Sequence, residues 1–182
     1  MKTVEEIRVG DRASLVREVT EADLALFAAA SGDTNPIHFD DAYAESTFFK
    51  GRIAHGILCA SFISAVIAGK LPGLGTIYVS QTLKFKAPVR IGDRITAEVE
   101  VLEVDPEKNR VRLKTTCTNQ DGVVVLDGEA VVMPPRRKMP EATLDEIEER
   151  KRALEQSLWA YRDTVLERRR AAEEAIRESL EG

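Results

Sequence analysis

His55-Gly56-Ile57-Leu58-Cys59-Ala60-Ser61-Phe62-Ile63-Ser64-Ala65-Val66-Ile67-Ala68 is the stretch that decides the fold. Its apolar residues surround a helical axis, so it reads as an interior helix and not a surface one. After it the chain turns at Leu71-Pro72-Gly73-Leu74-Gly75 and enters four strand candidates, residues 76–86, 94–104, 110–119 and 123–132. In Ile95-Thr96-Ala97-Glu98-Val99-Glu100-Val101 apolar and polar residues alternate, as in a half-buried strand. Gln120-Asp121-Gly122 between the last two strands is a hairpin signal. Upstream, residues 13–19 form another strand candidate. Thr20, with Asp23 at the capping-box position, opens a short helix to about Ala30. Residues 31–37 read as a loop, and residues 40–46 as a short helix or irregular chain. Strand, helix, loop, buried helix, then four long strands with short turns is an α+β order: an antiparallel sheet wrapped around one helix.

Composition narrows the function. Of 182 residues, 26 are basic and 31 acidic, a net charge of −5 with no basic stripe, so nucleic-acid binding is not expected. Apolar residues make up 43 % and charged residues 31 %, enough for a packed core, and only 5 % are aromatic, so that core should be Val, Ile, Leu and Ala. Residues 53–69 are interrupted by His55, Ser61 and Ser64 and are too short to span a membrane. The charged N-terminus carries no apolar run of the secretory kind. Cys59 and Cys117 have neither zinc-site nor disulfide spacing, which points to a reducing, cytoplasmic setting. His38 and His55 are the two histidines, which restricts acid/base chemistry to two places.

A composition change at Pro134-Pro135-Arg136-Arg137-Lys138-Met139-Pro140 divides the chain into a domain (1–134), an extended Pro/basic linker (135–140) and a tail (141–182). The tail reads as one helix opened by a Thr143/Glu146 capping box. Leu144, Ile147, Leu154, Leu158, Tyr161 and Val165 fall on a and d heptad positions, with Lys151 in the gap. Arg168 then takes a d position, and Ala172, Ile176 and Leu180 drift onto a four-residue step. Such a seam needs a partner: another copy, the main domain or another protein. Arg136-Arg137-Lys138 reads either as a solvated charge run or as a contact for a phosphate.

The chemistry concentrates in two segments. In Ser31-Gly32-Asp33-Thr34-Asn35-Pro36-Ile37-His38 a carboxylate and an imidazole stand five residues apart in a turn-rich loop that Pro36 stiffens. An Asp that orients a His, or shares a water with it, is an acid/base pair suited to neutral pH. The bland alternative is a turn with a capping histidine. The second segment, Gly51-Arg52-Ile53-Ala54-His55-Gly56-Ile57-Leu58, opens the interior helix. First-turn amides sit at the positive end of the helix dipole and can hold developing negative charge, and Gly56 permits close approach. Here the alternative is that His55 and Gly56 only shape the turn. Together the segments suit a substrate whose carbonyl becomes enolate-like. Cys59 reads as core packing, and Trp159 and Tyr161 as packing residues of the tail.

The run from Phe27 through Ser31-Gly32-Asp33-Thr34-Asn35-Pro36-Ile37-His38 to Ala44 resembles the signature of the MaoC-like dehydratases, and within them the (R)-specific enoyl-CoA hydratases. Ile53-Ala54-His55-Gly56-Ile57-Leu58, Leu71-Pro72-Gly73-Leu74-Gly75-Thr76-Ile77-Tyr78, Leu83-Lys84-Phe85-Lys86-Ala87-Pro88-Val89, Ile91-Gly92-Asp93 and Gly128-Glu129-Ala130 resemble the family as well. The resemblance covers roughly residues 9–134. Ala30 replaces a bulkier aliphatic residue or glycine, and the tail is a larger departure. The resemblance implies a hot-dog fold, with Asp33 and His38 as the catalytic dyad. It implies substrate contacts at Gly56, whose N–H meets the thioester oxygen, and at His55 beside it. Asn35 would orient the dyad or the water, and Ser64 would lie near the acyl pocket. It further implies an enoyl-CoA/3-hydroxyacyl-CoA thioester as substrate and a homodimer with the site at the subunit interface. No metal or redox cofactor is expected, coenzyme A being part of the substrate. The alternatives are a hot-dog acyl-CoA thioesterase and a non-catalytic dimeric scaffold that acts through its tail.

Overall fold

The structure, a computed structural model, describes residues 1–181; Gly182 and the side chains of Leu180 and Glu181 lie outside the described residues. In chain order the elements are β1 (Arg12–Glu18), α1 (Glu21–Ser31), α2 (Asp41–Ser46), α3 (Gly56–Gly69), β2 (Ile77–Phe85), β3 (Arg94–Asp105), β4 (Arg110–Thr118), β5 (Val124–Met133) and α4 (Glu141–Glu181). Single 3-10 turns occupy Val4–Glu6 and Pro36–His38. Two compact units result. One is Met1–Val19 with Asn35–Lys138; the other is Thr20–Thr34 with the stretch from Met139 onward. The sequence suggests one cut, before the tail, whereas the structure also sets α1 with α4.

The first unit is the hot-dog. Its five strands run in the order β1-β3-β4-β5-β2, every neighbouring pair antiparallel. Alternation decides which side chains face inward: Ile95, Ala97, Val99 and Val101 of β3 and Val111, Leu113 and Cys117 of β4 are fully buried. Helix α3 lies against β1, β2, β3 and β4. Leu58, Cys59, Phe62, Ile63, Val66 and Ile67 form its buried stripe, while Ile57, Ser61, Ser64, Ala65 and Ala68 stay exposed in the single chain. The Asp121-Gly122 turn joins β4 to β5 with Gly122 at φ +78°, the left-handed conformation a tight hairpin needs. Among the described residues, edge strand β2 pairs only with β5, and it keeps Ile77, Tyr78, Val79 and Phe85 exposed. The basic run before the tail meets acid: Lys138 Nζ lies 2.5 Å from Glu6 Oε1. That bond is the leading cause holding the Glu6 carboxyl below its usual range.

In the second unit, Thr20 and Asp23 form the expected capping box at the start of α1. Helix α1 packs on α4, where Arg162 Nη1 lies 3.8 Å from Asp23 Oδ1 and Arg169 Nη1 3.7 Å from Glu21 Oε2. The tail helix begins two residues ahead of the expected cap. The Pro140 carbonyl receives the N–H groups of Thr143 and Leu144, so Thr143 sits inside the first turn. Among the described residues, no helix is long and apolar enough to cross a membrane.

Candidate active site

The Asn35 side chain caps the Pro36–His38 turn by accepting the Ile37 N–H at 3.2 Å. The turn delivers His38 into the interior, 7 % exposed. There Nδ1 lies 2.8 Å from the Ile53 carbonyl oxygen. A carbonyl only accepts, so Nδ1 carries a proton, and the tautomer this selects has Nε2 as its acceptor. The His38 and His55 rings stack at 3.7 Å and 28°, which fixes the ring plane, and Phe39 meets His38 edge-on at 6.3 Å. His55 is buried and is the residue from which α3 starts.

Gly56 is the first residue of α3. A Cβ there would come within 2.6 Å of Phe85 Cε1, so only glycine fits under that ring as it stands. Gly56 and Phe85 line a cavity of about 460 Å³ together with Phe48, Phe49, Ile53 and Val125. Ile53 thus serves twice, its side chain walling the cavity and its carbonyl holding His38. Asp33 lies exposed in the loop after α1. Gly32 ends that helix at φ +78°, and the Asp33 N–H donates to Ser31 Oγ at 3.2 Å. Ser64 lies two turns along α3 from Gly56, exposed and away from the cavity lining.

The MaoC-like domain profile matches residues 6–123. The chain belongs to the MaoC-like dehydratase family. An (R)-specific enoyl-CoA hydratase of Rhodospirillum rubrum is 56 % identical over 133 residues, 73 % of this chain and 92 % of that protein. A 3-hydroxybutyryl-CoA dehydratase of Methylorubrum extorquens is 48 % identical over 134 residues, 74 % of this chain and 85 % of that protein. The solved R-hydratase PhaJ1 of Pseudomonas aeruginosa superposes with a TM-score of 0.70 at 51 % identity, covering 76 % of this chain and 92 % of that one. Helix α4 lies outside the residues matched by the MaoC-like domain.

Three supports of this MaoC-like site go unmarked in the sequence. One is the Ile53 carbonyl. The second is Arg52, whose Nε donates to the His38 carbonyl at 2.9 Å. The third is Arg90, whose guanidinium donates to the Phe49 and Arg52 carbonyls at 2.5 and 3.1 Å and so straps down the segment that holds His38. A backbone carbonyl has no residue signature, and Arg90 reaches back about forty positions. Cys59 also lines the cavity, but burial first and the Asp93 charge second push its thiol up to about 12, so it stays protonated and poorly nucleophilic.

Proposed function

We propose that this chain catalyses the reversible hydration of a trans-2-enoyl-CoA to an (R)-3-hydroxyacyl-CoA. The observation that carries the reading is a histidine of fixed tautomer joined through Ile53 to an apolar cavity at the start of α3. The acyl chain enters that cavity. The thioester oxygen meets the Gly56 N–H, one of the first-turn amides that have no acceptor within the helix. His38 Nε2 and the Asp33 carboxylate hold the water. As its oxygen bonds to C3, one of the pair takes the water's proton. Electron density moves through C2 to the thioester oxygen, and a proton is delivered to C2. One water is consumed, and the site returns to its starting state. Asn35 and His55 act as positioning residues, one capping the turn that carries His38 and the other stacked on its ring.

The reading includes pairing of two copies along the open edge of β2. The exposed Ile77, Val79 and Ile57 support it, because each is large, apolar and uncovered in the single chain. The two free cysteines fit a cytoplasmic enzyme. A spectrophotometric assay over enoyl-CoA chain lengths tests the activity: absorbance of the conjugated thioester falls without release of free thiol. Thiol release from a saturated acyl-CoA would instead indicate a thioesterase. Asp33→Ala and His38→Ala should each lower kcat by roughly 10²–10⁴-fold with the fold intact. Near wild-type turnover in either variant would remove that residue from the mechanism.

A further inference from the structure

The apolar cavity beside Gly56 has a mouth and a floor, and burial tells them apart. Phe48, Ile57 and Phe85 line it and are exposed, Phe48 by 93 %, so they stand at the opening. Cys59, Val125 and Leu126 line it too, each at most 2 % exposed, so they stand at the inner end. Behind them comes packed interior. Leu126 pairs with Cys117 across β4 and β5, and the fully buried Cys117 Sγ lies 3.6 Å from the Cys59 carbonyl oxygen. The cavity is therefore blind at that end.

Within that floor Cys59 has a fixed distance to the docking point. It stands on the same helix as Gly56, three residues on, so about 4.5 Å of rigid helical rise separates the two. Of the residues in the buried stripe of α3, Cys59 has the smallest side chain, and it is the position at which that stripe meets the cavity. Room for a guest is thus left where the helix faces the pocket, with larger side chains such as Leu58, Phe62 and Ile63 packed elsewhere along the stripe. We infer that Cys59 is the stop that sets the longest acyl chain this protein accepts. The inference rests on the proposed hydration and on the docking of the thioester oxygen at Gly56.

With its oxygen held at the first amide of α3, an acyl group points the far end of its chain at the floor. The cysteine there is a wall and not a reagent. Its thiol stays protonated, because burial pushes it up to about 12, and a protonated sulfur does not add to the electrophilic C3 of an enoyl group. An extended chain advances ~1.2 Å per bond. One methylene too many in a closed apolar pocket costs roughly 10–200-fold in kcat/KM. Activity should therefore fall steeply beyond one chain length, and the place of that drop should move with the size of the side chain at position 59. Side walls such as Ile53 govern width, whereas the floor governs length.

The test measures kcat/KM for straight-chain trans-2-enoyl-CoA substrates of increasing length, on the full chain and on its variants. Cys59→Ala should move the drop to chains longer by about one carbon, and Cys59→Leu to chains shorter by about one or two, at ~1.2 Å per bond. Phe48→Ala, at the mouth, should change every length by a similar factor and leave the drop in place. Cys59→Ala guards against a folding artefact, because activity gained on a longer substrate does not come from a damaged fold. A drop that stays in place in either folded Cys59 variant, or that moves with Phe48→Ala, would overturn the inference and leave the hydratase reading standing. Absence of hydration at every length in the unaltered chain would overturn both.

Discussion

Gly56→Ala separates the packing of a ring on that glycine from the docking of an oxygen proposed there. The added Cβ would meet Phe85 Cε1 at 2.6 Å and Cδ1 at 2.9 Å. Ordinary carbon contacts lie at about 3.5–4.0 Å, so the ring has to retreat by about 1 Å. Phe85 is 55 % exposed and ends an edge strand, so it can swing outward at small cost. Alanine is also up to about 1 kcal/mol better than glycine in a helix. The net change in stability should therefore stay within about 1 kcal/mol. Activity should respond differently. The methyl points toward a ring that walls the cavity, in front of the amide proposed to hold the thioester oxygen. Loss of one such donor costs roughly 10²–10³-fold in kcat. Thermal melting and enoyl-CoA hydration are measured on Gly56→Ala and on Gly56→Ala/Phe85→Leu, in which the clash is relieved. Turnover should remain low in both. Full recovery in the double variant would assign the loss to ring displacement, and undiminished activity in the single variant would refute oxygen binding at Gly56.

Two further outcomes follow from the surroundings of the site. Arg90→Met removes two charge-assisted bonds to the Phe49 and Arg52 carbonyls, each worth about 1.5–3 kcal/mol. It should lower kcat more than it raises KM and shift the pH–rate profile, and Arg90→Lys should not restore it, because an ammonium does not span both carbonyls as the planar fork does; an unchanged profile would leave Arg90 with packing alone. Burial raises both thiols from an ordinary value near 9 to about 12. At pH 8 neither should react with a disulfide reagent in the native state, and both should react on unfolding. Their raised values contribute stability that is whole below about pH 9 and is lost as pH climbs toward 12, so a denaturation midpoint that rises over that interval would contradict the burial.

The candidate site is legible in the sequence where its residues are local. Asn35 and His38 share one turn, with Asp33 in the loop ahead of it, and His55 and Gly56 share one helix start, so spacing alone makes them candidates. Cys59 as packing is equally local, since its neighbours on α3 are apolar. The supports are not legible because they cross long separations: Arg90 acts on carbonyls near residue 50, and Ile53 contributes a backbone atom. The interior helix shows a related limit. Its composition is apolar on every side, yet the sheet buries only the stripe from Leu58 to Ile67. Periodicity reports which faces are apolar and leaves open how many of them one chain can cover. The tail gives a clear seam, but the residue that starts it is Pro140, and one of its neighbours is α1, which no heptad count identifies.

The bond from His38 to the Ile53 carbonyl bears on how such a site tolerates drift. Where a carboxylate side chain orients a catalytic imidazole, one base change that turns it into an amide can leave the ring in place with its proton on the wrong nitrogen. A main-chain carbonyl offers mutation no such target: every residue at position 53 supplies the same acceptor. Substitution there can resize the cavity while the protonation pattern of His38 persists. The two contacts of Ile53 are thereby decoupled, and in the proposed mechanism variation at one position retunes which acyl chains fit without rewriting the acid/base step.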